Sequence, residues 1–435
     1  MQASVNEREL VLDMLLQITR DGEYSHIVIK NVLDKYQYLD KRERAFITRV
    51  VNGTLERMIE IDYIINLFSK VKVNKMKPLI RTILRSSVYQ MKYMDSVPDS
   101  AICNEAVKLA GKRGFVNLKG FVNGVLRNIS RNLDKINYPE KDKVSYLSVK
   151  YSLPEWLVKQ WLNVYDEETV KTIGSAFLEE KPLTVRFNEH KIKKEDLVGI
   201  LKKEGVTVGE VPEIPCALYL SGYDHLSVLP SFCEGLYQVQ DLSSMQVALW
   251  SEVKEGDQVL DVCAAPGGKS IHIAELLNGT GHVEARDLTE YKVDLLRDNI
   301  ERSGLTNIEA VCQDATVYDP DKKKSADIVI ADLPCSGLGV LGKKPDLRYK
   351  MNEKTEADLV ELQRKILSVV KDYVKPDGKL LYSTCTIHRE ENEGNVEWFL
   401  KEYPEFELVK DKQMIPGKDA GDGFYIAIIK RVNHE

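Results

Sequence analysis

The stretch Asp261-Val262-Cys263-Ala264-Ala265-Pro266-Gly267-Gly268-Lys269-Ser270 determines which fold the C-terminal part of this chain can adopt. An apolar run from Gln258 leads into it, and a helix is predicted to follow as far as Leu277. A strand that turns through two glycines into a helix is typical of open α/β sheets, which bind ligands at the carboxyl ends of their strands. The glycines let the backbone approach such a ligand closely, because they carry no Cβ atom.

The pattern around this turn continues as an alternation of strands and helices. Strands are predicted at 258–263, 282–286, 308–312, 327–331, 379–383 and 425–430, and helices at 269–277, 291–303, 354–373 and 391–403. The alternation predicts an α/β, doubly wound sheet for residues 235–435. The last strand has no helix after it, so we expect it to be an antiparallel edge strand.

Two acidic residues at strand ends indicate what this sheet edge binds. Asp287 lies 20 residues beyond Gly267, a spacing that places a carboxylate where it can accept from ribose hydroxyls. Asp314 ends the next strand and can accept from an adenine amino group. The turn has neither the Gly-x-Gly-x-x-Gly nor the Gly-x4-Gly-Lys spacing, so we predict a nucleoside without phosphates, S-adenosylmethionine, as cofactor. The alternative is that both aspartates are turn residues or helix caps.

Two cysteines also follow predicted strands. The run Ala331-Asp332-Leu333-Pro334-Cys335-Ser336-Gly337 comes after Ile328-Val329-Ile330, and Ser383-Thr384-Cys385-Thr386 comes after Leu380-Leu381-Tyr382. Strands of a parallel sheet end at one edge, where open α/β enzymes place their ligands. Two thiols at that edge, beside an acidic residue, suggest covalent chemistry on a base ring rather than a structural disulfide.

The other cysteines and the chain's hydropathy indicate a reducing compartment. The seven cysteines are scattered, the N-terminus lacks the apolar core of a signal peptide, and no run reaches the roughly 18 apolar residues of a membrane span. We therefore expect a cytoplasmic protein without disulfides and without a membrane partner. No Cys-x-x-Cys pair or Cys/His cluster appears, so we expect no metal site. The cysteines interpreted as small buried hydrophobes are Cys103, Cys216, Cys233 and Cys312.

The length and the remaining patterns predict further domains before the sheet. A chain of 435 residues is expected to form two or three domains. Residues 1–140 have apolar residues at helical spacing and few turn signals, which predicts an all-α domain. Residues 141–234 combine a helix with short strand-like runs, which predicts a linker helix and a small α+β module that adds to an RNA-binding surface.

Charge is distributed unevenly along the chain. The net charge is −6, yet the segment from Lys70 to Arg131 holds 13 basic and 3 acidic residues, a balance of +10. Charge runs are usually solvated helical faces. The single sign of this one favours a surface that faces nucleic-acid phosphates.

These motifs resemble those of a known family. The stretches DVCAAPGGKS, ADLPCSG and STCT resemble the cofactor loop and the two cysteine motifs of RNA cytosine-C5 methyltransferases, and YQVQDLSS from Tyr237 is similar to the same family. The runs RERAF from Arg42 and FVNGVLR from Phe121 resemble the helical, NusB-like RNA-binding domain. The order of domains resembles the bacterial methyltransferases B of 16S, small-subunit ribosomal RNA. One departure is Ser270, where threonine is common.

The resemblance implies a domain for each part of the chain. It implies a NusB-like RNA-binding domain at 1–140, a small RNA-binding module at 141–234, and a Rossmann-like class I methyltransferase at 235–435. Its substrate would be 16S ribosomal RNA, and nothing in the chain demands more than a monomer. The cofactor contacts would come from Cys263, Ala264, Ala265, Pro266, Gly267, Gly268, Lys269, Asp287, Asp314 and Asp332.

The resemblance also assigns catalytic roles. Cys385 is the nucleophile that adds to carbon 6 of cytosine, which makes carbon 5 able to attack a sulfonium methyl group. Cys335 assists removal of the C5 proton and release of the enzyme, and Asp332 holds a proton against the ring nitrogen. The two cysteines can be exchanged in this scheme, because DNA cytosine-C5 enzymes take their nucleophile from the Pro-Cys motif.

Two other functions stay open from the sequence. One is a transfer RNA cytosine-C5 methyltransferase, which would be expected to carry a different N-terminal extension. The other is a non-enzymatic RNA-binding or antitermination-like factor that retains a methyltransferase fold. The complete cofactor loop, the acidic series and both cysteines argue against this second reading.

Overall fold

The computed structural model describes residues 6–36 and 38–432. The helices are α1 (Glu7–Thr19), α2 (Ser25–Lys35), α3 (Lys41–Glu56), α4 (Met58–Phe68), α5 (Pro78–Tyr93), α6 (Asp99–Lys112), α7 (Lys119–Asn132), α8 (Lys143–Tyr151), α9 (Glu155–Leu162), α10 (Glu167–Ala176), α11 (Lys194–Lys203), α12 (Pro230–Cys233), α13 (Leu242–Ser251), α14 (Gly268–Leu276), α15 (Glu290–Ser303), α16 (Leu347–Lys350), α17 (Glu353–Val370) and α18 (Glu393–Glu402). The strands are β1 (Leu183–Phe187), β2 (Thr207–Glu210), β3 (Ala217–Ser221), β4 (Tyr237–Val239), β5 (Gln258–Asp261), β6 (His282–Asp287), β7 (Ile308–Cys312), β8 (Ala326–Asp332), β9 (Val374–Thr384), β10 (Phe406–Met414) and β11 (Phe424–Arg431). Among the described residues, no helix is long and apolar enough to cross a membrane.

The first of two compact units is helical and comprises the chain up to Glu179 together with Leu341–Lys350. Its core contains the apolar faces of α1 and of α3 to α7. Helix α3 begins at a capping box, in which the Asp40 carboxylate accepts from the backbone N–H of Glu43 and the Glu43 carboxylate accepts from that of Asp40. Such reciprocal caps satisfy two of the backbone N–H groups that a helix start leaves without partners. The predicted all-α N-terminal fold is confirmed.

This unit continues beyond residue 140, where we placed the first domain boundary. The Oγ of Ser152, directly after α8, accepts the backbone N–H of Glu60 in α4 at 3.1 Å. Helices α8, α9 and α10 therefore belong to the same unit as α1 to α7. The division into 1–140, 141–234 and 235–435 stays a prediction.

A ten-residue segment from the β8–α17 connection also folds as part of the first unit. The Asp346 carboxylate accepts from the backbone N–H of Ser25 at 3.1 Å and from its Oγ at 2.5 Å, which caps the start of α2. The buried Arg348 donates to the carbonyl oxygens of Glu56 at 2.6 Å and Ser152 at 3.4 Å, the ends of α3 and α8. The segment thus satisfies helix-end groups that have no partner within their own helices.

The basic segment from Lys70 to Arg131 is partly neutralised by acidic residues outside it. Arg85 pairs with Asp62 at 2.5 Å, and Lys92 pairs with Glu60 at 2.9 Å. These partners lower the effective charge below the +10 that the segment carries alone. The connection between α4 and α5 keeps a concentration of exposed basic side chains, which are Lys70, Lys72, Lys75 and Lys77.

The second unit comprises Glu180–Val340 and Met351–Glu435. Its first part is an antiparallel sheet with strand order β2-β3-β1-β4, which packs with α11 around a core that includes Val185 and Leu218. Its second part is a seven-stranded sheet with order β10-β11-β9-β8-β5-β6-β7. The pairs among β5 to β9 are parallel, so the carboxyl ends of these strands lie along one edge.

The parallel strands are buried on both faces. Val259 and Ile328 point into one apolar cluster, while their neighbours Leu260 and Val329 point into another on the opposite face. This is the arrangement expected when helices cover both sides of a parallel sheet. The predicted α/β Rossmann-like architecture is confirmed.

The last strand departs from our prediction in one respect. Strand β11 is antiparallel to β9, as expected, but it is not the edge strand, because β10 pairs along its other side. The sequence of β10, FELVKDKQM, is mostly charged and exposed between Phe406 and Met414. Charged residues are typical of edge strands, and they conceal the strand from an analysis of apolar runs.

Candidate active site

The glycine-rich turn lies where the sequence predicts it, between the end of β5 and the start of α14. Gly267 adopts φ +108°, and a Cβ atom there would lie 2.6 Å from Cδ1 of Leu296. Its N–H donates to the carbonyl oxygen of Ala264 at 2.8 Å, and Asn299 donates to that of Pro266 at 2.9 Å. Both the backbone angle and the packing therefore require glycine at this position.

Asp261 supports the turn from beneath. Its buried carboxylate accepts from the Oγ of Ser270 at 2.6 Å and from the backbone N–H of Cys263 at 3.3 Å. Burial raises the pKa of Asp261 to about 7, although the hydrogen bond from Ser270 opposes the shift. Serine at 270 supplies the hydroxyl that this contact needs.

Asp287 is joined directly to the turn. Its Oδ2 accepts from the backbone N–H of Ala265 at 3.0 Å, and its Oδ1 accepts from that of Leu288 at 2.7 Å. Lys292 approaches Oδ1 at 3.1 Å. The structure thus places Asp287 beside the glycine-rich turn, where its carboxylate fixes the backbone at Ala265 and Leu288.

Asp314 lies after β7, the neighbour of β6 in the sheet. Its Oδ1 accepts from both the backbone N–H and the Oγ1 of Thr316 at 2.8 Å, and these bonds lower its pKa. Such contacts are typical of an aspartate that caps a turn, which is the alternative to cofactor binding that the sequence left open for Asp314.

Asp332 connects the glycine-rich turn to the Pro-Cys motif. Its Oδ2 accepts from Nζ of Lys269 at 2.6 Å, and its Oδ1 accepts from the Oγ of Ser383 at 2.7 Å. Burial would lower the pKa of Lys269, but the charge of Asp332 and its hydrogen bond outweigh that effect and raise it. Lys269 is therefore a stable cation, 5.4 Å from the centre of the Phe424 ring.

The two predicted cysteines meet at the sheet edge. The Sγ atoms of Cys335 and Cys385 lie 3.2 Å apart. The pKa of Cys335 is raised well above its usual value by the hydrogen bond to Cys385, by burial, and by the charges of Cys385 and Glu391. Cys335 is thus a neutral thiol near pH 7 that can donate a hydrogen bond to Cys385. The pKa of Cys263 is likewise raised by burial and by nearby carboxylates, so this loop thiol is also neutral.

Sequence reasoning missed several residues that complete the site. Ser383 orients Asp332, and the turns that carry the cysteines share contacts with the buried Glu391. Leu288, beside Asp287, exposes 59% of its surface at the predicted cofactor edge. The polar run Arg389-Glu390-Glu391-Asn392-Glu393, which begins four residues after Cys385, looks like solvated surface, so it gave no signal that Glu391 and Asn392 are buried.

Comparison with known proteins identifies the family. A model described as "16S rRNA methyltransferase RsmB/F" matches residues 248–430, a "NusB family" model matches 5–131, and a "Methyltr_RsmF/B-like, ferredoxin-like domain" model matches 153–225. A probable ribosomal RNA small subunit methyltransferase B of Bacillus subtilis (strain 168) is 36% identical over 448 residues, covering 98% of each chain. This chain belongs to the ribosomal RNA small subunit methyltransferase B family.

Another curated relative and two solved structures are also similar to this chain. A ribosomal RNA small subunit methyltransferase B of Klebsiella pneumoniae (strain 342) is 28% identical over 447 residues, the full length of both chains. The crystal structure of PH0851 superposes with a TM-score of 0.83 at 25% identity, covering 99% of this chain and 100% of that one. NSun6 from Pyrococcus horikoshii with SFG has a TM-score of 0.57 at 24% identity over 63% of this chain and 97% of that one, which shows the fold. The predicted family is confirmed.

Proposed function

We propose that this chain methylates carbon 5 of a cytosine in 16S ribosomal RNA through a covalent bond between Cys385 and carbon 6. The observation that carries the proposal is the pair of thiols, 3.2 Å apart, at the carboxyl edge beside the Lys269–Asp332 ion pair. Membership of a ribosomal RNA methyltransferase family supports the substrate class. The base must leave any stacked helix to reach these side chains.

The two cysteines have different tasks in this reaction. The Cys385 thiolate adds to carbon 6, which moves electrons toward carbon 5 and makes that carbon the nucleophile for the methyl group. After transfer, the C5 proton passes to water, the electrons of the C5–H bond re-form the C5–C6 double bond, and the electron pair of the C6–sulfur bond returns to sulfur, which restores the aromatic ring and the Cys385 thiolate. Cys335 is the nearby group that assists this release. The 3.2 Å separation of the two sulfurs allows a hydrogen bond between the Cys335 thiol and a Cys385 thiolate.

Asp332, held by Lys269, is placed to stabilise the charge that develops on the base. Addition of a thiolate at carbon 6 makes the ring nitrogen beside the exocyclic amine more basic, and the Asp332 carboxylate stabilises the proton that this nitrogen acquires. Ser383 fixes one oxygen of this carboxylate, and Lys269 fixes the other. The base competes with one of these donors when it binds.

The residues of the glycine turn fit S-adenosylmethionine, which supplies an electrophilic methyl group when bound. Gly268 leaves the backbone uncovered, since the nearest heavy atom to a Cβ there would be in the Gln240 side chain at 3.6 Å. Asp287 offers carboxylate oxygens beside the turn, and Leu288 offers an exposed apolar surface. Residues 263–269 with Asp287, Asp314 and Asp332 are the proposed contacts. A monomeric state and a cytoplasmic location stay predictions.

The exposed lysines between α4 and α5 are the proposed phosphate contacts of the helical unit. Binding through phosphates releases counterions, so affinity for RNA should fall steeply as salt rises. A variant in which Lys70, Lys72, Lys75 and Lys77 are all Gln should bind more weakly and with a slope lower by about one per lysine that contacts a phosphate. An unchanged slope would remove this surface from the proposal.

A trapping experiment tests the reaction. Small-subunit ribosomal RNA that contains 5-fluorocytosine is incubated with S-adenosylmethionine and the protein, and covalent complexes are resolved on a denaturing gel. Fluorine cannot leave as a proton does, so the adduct persists. Cys385→Ser, Cys335→Ser and the control Cys233→Ser are run beside wild type. Cys233 is exposed, so the interpretation of this cysteine as a buried hydrophobe was wrong, and its replacement should leave the site unchanged.

Each result has a distinct meaning. An adduct lost only in Cys385→Ser supports the proposed nucleophile, whereas loss only in Cys335→Ser reverses the two roles. No adduct with any protein, while cofactor and RNA bind, would favour the RNA-binding factor. A faster adduct with transfer RNA than with ribosomal RNA would favour a transfer RNA methyltransferase.

A further inference from the structure

A buried carboxylate lies beneath both cysteine-bearing turns. Glu391 follows the Thr-Cys motif, and its side chain is fully buried. Its Oε2 accepts from the backbone N–H of Ser336 at 2.9 Å and from Nε2 of Gln363 at 2.8 Å. Its Oε1 accepts from the Oγ of Ser336 at 2.5 Å and lies 3.2 Å from Nδ1 of His388. Both oxygens are thus engaged by groups of the surrounding elements.

These partners are the immediate neighbours of the two thiols. Ser336 follows Cys335, Thr386 follows Cys385, and their hydroxyl oxygens are 2.8 Å apart. Gln363, from α17, also donates to the carbonyl oxygen of Pro334 at 2.8 Å. One carboxylate therefore fixes the backbone directly after Cys335 and, through the hydroxyl pair, the residue directly after Cys385.

We propose that Glu391 is a positioning residue that holds Cys335 close enough to Cys385 to assist release of the RNA after Cys385 has formed the covalent bond. The proposal rests on the proposed function, since it assumes that Cys385 forms the covalent bond and that Cys335 assists its release. A buried carboxylate is tolerated only when donors satisfy its oxygens, so the position of each donor is strongly constrained. Glu391 contacts neither thiol and acts through Ser336 and Thr386.

The same region has the spacing of a metal site, because ligand atoms of Glu356, His388 and Glu391 lie within 4.8 Å of one another. The hydrogen bonds argue for a proton instead. Both oxygens of Glu391 already accept from Ser336, Gln363 or His388. Burial would lower the pKa of His388, but its hydrogen bond to Glu391 and the charge of Glu356 outweigh burial and raise it. The carboxylates of Glu391 and Glu356, 3.2 and 3.8 Å from the two ring nitrogens of His388, thus favour the charged form of the imidazole.

Glu391→Gln is the direct test. The amide keeps the size of the side chain but replaces one acceptor with an NH2 donor, which would face donors from Ser336, Gln363 or His388. Glu390→Gln is the matched control, because this neighbour loses the same charge while its side chain is 59% exposed. Ser336→Ala is the second variant. It removes the hydroxyl link between the turns while the other donors to Glu391 stay in place, so it decides the question if Glu391→Gln does not fold.

The measurements separate positioning from general damage. On ordinary ribosomal RNA, turnover of Glu391→Gln should fall about 100-fold, the usual effect of misplacing reacting groups by about 1 Å. S-adenosylmethionine affinity and the KM for RNA should match those of Glu390→Gln. A covalent RNA complex should accumulate on ordinary cytosine, as it should with Cys335→Ser, because release needs Cys335 in place.

Turnover equal to that of Glu390→Gln, or a decrease without accumulated complex, would overturn the positioning role. Loss of turnover after chelation, restored by zinc or manganese, would replace it with a metal site. The wild-type protein with 5-fluorocytosine RNA is measured in the same experiment. If that lane forms no adduct, it is the proposed function that fails, which distinguishes the two failures.

Discussion

Replacing Gly267 with alanine should destabilise the second unit by an amount that the geometry allows us to estimate. Gly267 has φ +108°, and an L residue with left-handed backbone angles costs about 1–2 kcal/mol. The new Cβ would lie 2.6 Å from Cδ1 of Leu296 and 3.1 Å from Cδ1 of Ile271, both in the buried core. Overpacking of this kind costs about 1–3 kcal/mol. The total is about 2–5 kcal/mol.

Gly256→Ala separates the two contributions. Gly256 lies in the turn before β5, has φ +87°, and has no heavy atom within 4 Å of an added Cβ. It should therefore lose only the backbone part, about 1–2 kcal/mol. The gain from reducing the freedom of the unfolded chain is the same for both variants, so it cancels in their difference. The difference in unfolding free energy between the two variants measures the packing around the glycine-rich turn.

Calorimetric melting with and without S-adenosylmethionine provides the readout. For a unit of this size, each kcal/mol lowers the melting temperature by roughly 2–4 °C. Gly267→Ala should thus melt roughly 4–20 °C below wild type, and clearly below Gly256→Ala. It should also bind the cofactor more weakly. Equal melting temperatures for the two variants, with unchanged cofactor affinity, would refute the reasoning.

Three further results are expected. Gly268→Ala should keep or raise the melting temperature, because the added Cβ would meet only Gln240, at 3.6 Å, and alanine favours a helix. The same variant should weaken S-adenosylmethionine binding, measured by titration calorimetry, and unchanged binding would place the cofactor elsewhere. Folding raises the pKa of Asp261 to about 7, so the native state holds this proton more tightly than the unfolded chain. The unfolding free energy of wild type minus that of Asp261→Asn, measured in urea, should therefore fall as the pH rises from about 4 to about 7. A free-energy difference that does not change with pH would contradict this. Arg348→Met should leave two helix-end carbonyl oxygens without donors, at a cost of about 1–3 kcal/mol each. Amide hydrogen exchange should then become faster in α3 but not in β5. An equal change in both elements would show that Leu341–Lys350 has no local stabilising role.

The parts of the site that the sequence predicted depend on local patterns. Asp261–Ser270 carries its own signature, because an apolar strand, two glycines and a helix follow one another along the chain. Cys335 and Cys385 could be placed together because the ends of parallel strands share an edge. The structure confirms the sheet that brings them to one place. Their chemical roles stay proposals.

The parts that the sequence did not predict depend on contacts between distant residues. Glu391 looks like a surface acid until Ser336 and Gln363, 55 and 28 residues away, are seen to donate to it. The charge of the Lys70–Arg131 segment looks unopposed until Glu60 and Asp62 are seen to pair with it. Strand β10 is hidden by its charged residues. In the first two cases a charged side chain has a partner that no local pattern reveals, and in the third the charged residues hide a strand that pairs with β11.

The inclusion of Leu341–Lys350 in the first unit has a consequence for how this protein is made. Synthesis proceeds from the N-terminus, so the ribosome finishes α10 and then adds about 170 residues before Lys350 exists. At rates of roughly 5–20 residues per second, this takes roughly 8–35 s. During that interval α3 and α8 lack the arginine that will satisfy their final carbonyls, and α2 lacks its capping carboxylate. The helical unit, although encoded first, completes its fold only while the methyltransferase sheet is emerging.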